Sequence, residues 1–156
     1  KSDQTPAMNN KVVYFPSCIN QTMGLAKDSP VNQPLVKQML SLLQKAGYEV
    51  IFPPKMEKLC CGTIWESKGM LDIADSKSTE LEASLWEASE QGRYPVLCDQ
   101  SPCLHRMRAT IQKIKLYEPA EFIYTSCETN WNLPQPTDRL PYTSHVPCAK
   151  WDWRIY

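Results

Sequence analysis

Short apolar runs alternate with longer amphipathic segments along most of the chain. Three runs, at residues 12–15, 48–52 and 94–97, are rich in β-branched and aromatic residues and predict buried strands. A weaker run predicts a fourth strand at 115–117. Proline follows the first two runs directly, which is typical of strand ends.

The segments between the runs carry helical periodicity. Apolar residues recur three and four positions apart before Gly47, a typical C-cap residue, and again in a longer stretch before Gly92. Ser101 and Pro102 form an N-cap and N1 pair that predicts a helix starting at Cys103. The predicted helices lie at about 34–47, 71–91, 103 onward and 119–124.

Alternating strands and helices predict an α/β fold, a parallel sheet flanked by helices in Rossmann-like or flavodoxin-like layers. In such sheets, ligand sites form beyond the carboxyl ends of the strands. Five cysteines come after predicted strands and are therefore expected at this edge: Cys18, Cys60, Cys61, Cys98 and Cys103.

The adjacent pair Cys60-Cys61, followed by Gly62, points to metal chemistry. Neighbouring residues make a poor disulfide, because the bridge needs Cα atoms further apart than one trans peptide allows. An iron–sulfur cluster needs several thiolates that converge, and glycine lets the backbone take φ > 0 and approach closely. The alternative is a loop with two incidental cysteines.

Composition narrows the class of protein. The chain has 156 residues, seven cysteines and a net charge of zero, so no nucleic-acid footprint is expected. Residues 1–11 show no apolar signal segment, and the odd cysteine count fits a disulfide framework poorly. We expect reduced thiols and a cytoplasmic location, either free or bound peripherally at the inner face of the membrane.

Five short motifs carry a family resemblance from about residue 12 to residue 148. They are Phe15-Pro16-Ser17-Cys18, Cys60-Cys61-Gly62, Ser67-Lys68-Gly69, Cys98-Asp99-Gln100-Ser101-Pro102-Cys103 and His145-Val146-Pro147-Cys148. In this order they resemble the cysteine-rich CCG domain of the heterodisulfide reductases, and most closely the iron–sulfur portion of FAD-dependent D-lactate dehydrogenases. The last cysteine pair is spaced Cys-x4-Cys, where the reductase pattern has Cys-x-x-Cys.

The resemblance implies an electron-transfer function. Cys18, Cys60, Cys61 and Cys103 would bind an iron–sulfur cluster of the 4Fe–4S type, with Cys98 a fifth candidate. An FAD-binding domain elsewhere in the same polypeptide would oxidise a 2-hydroxy acid such as D-lactate, and electrons would pass on to a quinone, a cytochrome or another carrier. The chain would then be part of an enzyme and inactive alone.

Several further residues are candidates for supporting roles. Gly62, Lys68 and Asp99 are expected to shape or orient the cluster loops, although Lys68 and Asp99 are equally well explained as surface charges. At the start of its helix, Cys103 is expected to have a lowered pKa, helped by Arg106 and Arg108. We interpret Cys127 as a core or surface thiol after the short helix, and His105 as exposed.

Domain boundaries follow from composition and from one internal similarity. Residues 1–10 read as a polar leader or linker, 11–128 as a CCG module and 129–139 as a connector. Residues 140–156 resemble the start of the first module and predict a truncated second one, in which His145 and Cys148 are candidate ligands. This second module would be a partner of the first.

Two alternatives use the same thiols. One is a structural Zn²⁺ site in which the cysteines only hold the fold. The other is a thiol–disulfide redox site like that of heterodisulfide reductase.

Overall fold

The computed structural model describes residues 10–130, with side chains through residue 125. Four parallel strands form one sheet in the order β2-β1-β3-β4. This confirms the α/β prediction. The strands are β1 (Lys11–Phe15), β2 (Glu49–Ile51), β3 (Val96–Cys98) and β4 (Leu116–Tyr117).

Helices connect the strands and cover the sheet. They are α1 (Cys18–Thr22), α2 (Leu35–Lys45), α3 (Thr63–Glu66), α4 (Leu71–Ala88), α5 (Ser101–Thr110) and α6 (Pro119–Asn130), and a 3-10 turn spans Met56–Lys58. In the described residues, no helix is both long and apolar enough to cross a membrane.

Alternation along β1 builds a core on each face of the sheet. Successive side chains of a strand point to opposite faces, so Val13 and Phe15 face one way and Val12 and Tyr14 the other. The first pair packs with residues of α4 and α5, such as Leu81 and Met107. The second packs with Met39 and Leu43 of α2 and Phe122 of α6. Both faces of the central strand are therefore buried, as expected for a parallel sheet.

The helical stripes also match their periodicity. On α4, the buried residues are Ala74, Ser78, Leu81 and Leu85, spaced three and four apart. On α2, Met39 and Leu43 are the buried pair, and Gly47 adopts φ +82° after the last turn. Each helix thus presents one narrow stripe to the sheet.

Three local predictions were wrong. Helix α5 begins at Ser101, with Gln100 as its N-cap, so Cys103 is its third residue. Cys98 is the last residue of β3 and does not follow the strand. Helix α6 extends through Asn130, beyond the predicted end at Tyr124, so Cys127 lies within the helix.

The strand order creates a topological switch point. From β1 the chain passes to β2 on one side, and β3 then lies on the other side of β1. Connections that leave in opposite directions open a crevice beyond the carboxyl ends of β1 and β3. Phe15 pairs with Cys98 at that end, so the loops that carry Cys18 and Cys103 start side by side.

The predicted leader, the predicted connector beyond residue 130, and the predicted second module with His145 and Cys148 lie outside the described residues.

Candidate metal centre

Five free cysteines lie at the carboxyl edge of the sheet. Cys18 is the first residue of α1 after β1, and Cys60 and Cys61 follow the 3-10 turn after β2. Cys98 ends β3, and Cys103 lies in the first turn of α5. Parallel strands bring segments that are distant in sequence to one place, and this is the convergence the sequence predicted.

Three of the thiols affect one another's ionisation. Hydrogen bonds from the thiols of Cys103 and Cys60 lower the pKa of the Cys61 thiol well below its usual range. The same interactions, together with burial, raise the pKa of Cys60 and of Cys103. The expectation of a lowered pKa at Cys103 was wrong, because its thiol acts as the donor to Cys61.

The other two cysteines differ in exposure. Cys18 is exposed, and its charge raises the pKa of both Cys60 and Cys103, so it lies within electrostatic reach of them. Cys98 is fully buried, and its thiol points to the carbonyl of Gln100, 3.8 Å away. Burial raises the pKa of Cys98 to about 12. Cys98 is therefore the most deeply buried of the five, whereas Cys18 and Cys60 are the more exposed ones.

Gly62 fixes the shape of the cysteine loop. Its backbone has φ +91°, and a Cβ added there would stand 2.5 Å from the Ala74 carbonyl oxygen and 2.9 Å from Arg106 Nε. The Gly62 N–H also points to the Cys60 sulfur at 3.4 Å. Only glycine meets both the φ value and the space, so the loop can lie directly against α4 and α5.

Side chains from two helices hold the carbonyl of Cys61. Ser78 Oγ on α4 donates to it at 3.0 Å, and Arg106 Nε on α5 donates at 3.1 Å. Arg106 is buried and also pairs with Glu66 and Asp75. From the sequence, Arg106 was expected only to add positive charge near Cys103. Its position between the apolar residues of the α5 stripe was the signal for a buried role.

Two more polar residues surround the thiols. Thr63 Oγ1 lies 3.2 Å from Cys61 Sγ and 3.4 Å from the carbonyl oxygen of Pro102, so it bridges the cysteine loop to the start of α5. Arg108, which sequence reasoning placed beside Cys103, instead bonds to the Leu116 carbonyl and to Glu121. The hydroxyl of Thr63 had no signal in the sequence.

Asp99 joins the ends of β1 and β3. Its Oδ1 accepts the Ser17 N–H and its Oδ2 accepts the Tyr14 hydroxyl, both at 2.8 Å. Ser17 is in turn the N-cap of α1, and its Oγ accepts from the Asn20 N–H. Asp99 thus orients the segment that carries Cys18.

Lys68 and His105 lie apart from this network. Lys68 is exposed in the turn between α3 and α4, and His105 is exposed on α5. The orienting role predicted for Lys68 gains no contact from the structure and stays a prediction.

Within the part of the chain whose side chains are described, no group of three or more His, Cys, Asp or Glu is arranged ready to hold a metal ion. Comparisons with protein-family models, with curated proteins and with solved structures give no match.

The chemistry of the donor set fits an iron–sulfur cluster. The groups that converge on the edge are all thiols, and Asp99, the nearest carboxylate in sequence, is engaged by Ser17 and Tyr14. Thiolates are the usual protein ligands of iron–sulfur clusters. Because thiolates are the species that bind, the thiols would have to lose their protons on cluster binding.

Proposed function

We propose that this chain is an iron–sulfur electron-transfer module of an FAD-linked oxidoreductase of the D-lactate dehydrogenase type. The observation that carries the proposal is the convergence of Cys18, Cys60, Cys61 and Cys103, each from a segment that follows β1, β2 or β3, on the carboxyl edge of the sheet. These four cysteines would be the ligands, with Cys98 as the fifth candidate. The 4Fe–4S type is proposed from the family resemblance.

The residues around the thiols have defined tasks. Cys61 offers a thiolate, Gly62 brings its loop against two helices, and Ser78 and Arg106 fix its carbonyl. Asp99 anchors the start of α1, and with it Cys18. When bound, an iron–sulfur cluster would supply one-electron transfer, which none of these side chains provides.

Partners are proposed from the same resemblance. An FAD-binding domain of the same polypeptide would deliver electrons, and a quinone or cytochrome would receive them. The exposed position of Cys18 leaves one side of the thiol group accessible to such a partner. Residues 140–156 would begin a second module of the same kind.

A thiol–disulfide function is the second candidate, and one observation favours it. A thiolate of lowered pKa at Cys61, in contact with the thiols of Cys60 and Cys103, is the arrangement that attacks disulfides. A structural Zn²⁺ site would use the same thiolates without redox activity. Metal and sulfide analysis separates all three.

The test is anaerobic reconstitution of the full 156-residue chain with iron and sulfide. We expect stoichiometric iron and acid-labile sulfide, broad visible absorbance and an EPR signal in one oxidation state. Binding of zinc alone supports the structural alternative. A chain that binds no metal but undergoes a reversible two-electron dithiol titration supports the second candidate. Either result overturns the electron-transfer proposal.

Serine variants rank the ligands in the same experiment. Cys61→Ser, Cys18→Ser and Cys103→Ser should each lose most of the iron, because an alcohol replaces a thiolate poorly. Cys98→Ser should lose part of it, since this thiol is buried and its motif spacing departs from the reductase pattern. Cys127→Ser on α6 is the matched control and should keep its iron. Equal loss in Cys127→Ser and Cys61→Ser would refute a site at the carboxyl edge.

A further inference from the structure

Arg106 is the only charged residue buried among those whose side chains are described. It is 5% exposed, on the face of α5 that packs against the sheet. A buried charge is costly unless it is paired and hydrogen-bonded. A neutral residue would fill the same space at lower cost, so the guanidinium group calls for an explanation beyond packing.

The guanidinium group connects four segments. Its Nε donates to the Cys61 carbonyl at 3.1 Å, one terminal nitrogen lies 2.5 Å from Glu66 on α3, and the other lies 2.8 Å from Asp75 on α4. The planar fork of arginine, with five N–H donors on three nitrogens, can serve three acceptors that lie several ångströms apart. The cysteine loop, α3 and α4 are thereby fixed to α5 around one cation.

The guanidinium group and its two carboxylate partners differ in their exposure to water. Glu66 is 47% exposed and Asp75 is 71% exposed, so water screens both carboxylates far more than it screens the guanidinium. Because Arg106 Nε donates to the Cys61 carbonyl, the cation of this network lies next to the loop that carries the Cys61 thiol, and the exposed carboxylates lie on its other sides. This is the only buried cation among the described residues.

We propose that Arg106 is a positioning residue with two roles: it holds the Cys61 loop closed, and its charge raises the reduction potential of a centre bound by these thiols. The second role rests on the proposed function and the first does not. Reduction adds a negative charge to a centre already held by anionic thiolates, and a nearby buried cation stabilises that added charge.

The first role is tested on the chain without metal. The rate of Cys61 alkylation by iodoacetamide, followed site by site with mass spectrometry, reports opening of the loop. We expect Arg106→Gln to raise this rate roughly tenfold or more, because a hydrogen bond from a charged donor is lost. Cys98, buried in β3, is the internal control and should react at its original slow rate. Arg108→Gln, on the same helix but paired with Glu121, is the matched variant control.

The outcomes of the alkylation test are distinct. An unchanged Cys61 rate in Arg106→Gln, or an equal rise in Arg108→Gln, overturns the positioning role. A rise at Cys98 as large as that at Cys61 would mean general unfolding. In that case Arg106→Lys, which keeps the charge but cannot reproduce the three contacts of the guanidinium group, replaces it. No rise at Cys61 in Arg106→Lys would then overturn the role, because the guanidinium contacts would not be what holds the loop.

The second role is tested on the reconstituted chain by a potential titration followed by EPR. Arg106→Gln should shift the potential to more negative values, and Arg106→Lys, which keeps the charge, should fall nearer the wild type. Asp75→Asn should shift it to more positive values, since it removes an exposed carboxylate and leaves Arg106 in place. No shift in Asp75→Asn, or a shift in the opposite direction, overturns the role even if Arg106→Gln does not fold. A wild-type chain that binds no cluster refutes the proposed function and this second role together, and the alkylation rates alone then decide the first role.

Discussion

Gly62 has no room for a side chain. The position that a Cβ would take on Gly62 is occupied by the Ala74 carbonyl oxygen and by Arg106 Nε. Arg106 Nε also donates to the Cys61 carbonyl, so the close approach that excludes a Cβ is the one that holds the cysteine loop against α5. The loop can therefore place Cys61 in this position only if residue 62 is glycine.

Substitution of Gly62 tests that requirement, with Gly69 as the matched control. Both residues have positive φ, +91° and +74°, but a Cβ on Gly69 would meet nothing within 4 Å. Gly69→Ala should cost about 1–2 kcal/mol, the cost of a left-handed conformation. Gly62→Ala should add roughly 1–3 kcal/mol from overlap with the helix backbone. Free energies of unfolding from urea titration measure both, and equal losses would show that the loop adjusts freely.

At this scale the sequence identified the thiols and missed their supports. Cys60-Cys61-Gly62 is recognisable because adjacent cysteines have few structural uses. In the sequence, Ser78 and Thr63 look like ordinary helix residues. Their role depends on their contacts, which are the Cys61 carbonyl for Ser78 and the Cys61 sulfur for Thr63. Such contacts depend on how two helices pack, and no local pattern encodes that.

At the scale of the elements, Asp99 connects the carboxyl ends of β1 and β3. It follows β3 directly and accepts from Ser17, which caps the short helix α1. A helix of five residues is too short to be stable alone, so its position depends on such contacts. The exposed cysteine of the site is thus placed by a carboxylate that directly follows the neighbouring strand.

Asp99→Ala should release α1 and weaken binding at Cys18. The Ser17 N–H and the Tyr14 hydroxyl would each lose a charged acceptor, at a combined cost of about 3–6 kcal/mol. Tyr14→Phe is the control, because it removes one of these bonds and keeps the one to Ser17. Urea unfolding and iron per chain after reconstitution measure the two effects. Iron content that falls equally in both variants would assign the role to the tyrosine.

Prediction of the elements succeeded where periodicity was long. Helices α2 and α4 and the first three strands were predicted from apolar spacing, to within a few residues. Helices α1 and α3 were missed, since five and four residues show no period and Asn20 reads as a loop residue. The end of α6 was placed too early because polar residues there hide the continuing helix.

At the scale of the molecule, strand order determines the site. The sequence predicted parallel strands and hence one edge, but it does not specify that β3 lies beside β1. That neighbour relation puts Cys18 and Cys103 at a switch point, and β2 on the far side of β1 supplies the cysteine pair. Long-range pairing decides this, through contacts among residues far apart in the chain.

The proposal assigns electron transfer to this chain and substrate oxidation to a separate flavin domain. It therefore predicts what the whole chain can catalyse alone. The chain alone, reconstituted with iron and sulfide, should not oxidise D-lactate with any dye acceptor. Removal of a hydride equivalent from a 2-hydroxy acid is flavin chemistry, whereas the convergent groups here are thiols suited to one-electron carriers. As a control, dithionite should still reduce the reconstituted cluster and the dye should reoxidise it, which would show that the sample is redox-active. Turnover of D-lactate by flavin-free chain, with flavin content checked by fluorescence, would place substrate oxidation within these 156 residues and refute the proposed need for a separate flavin domain.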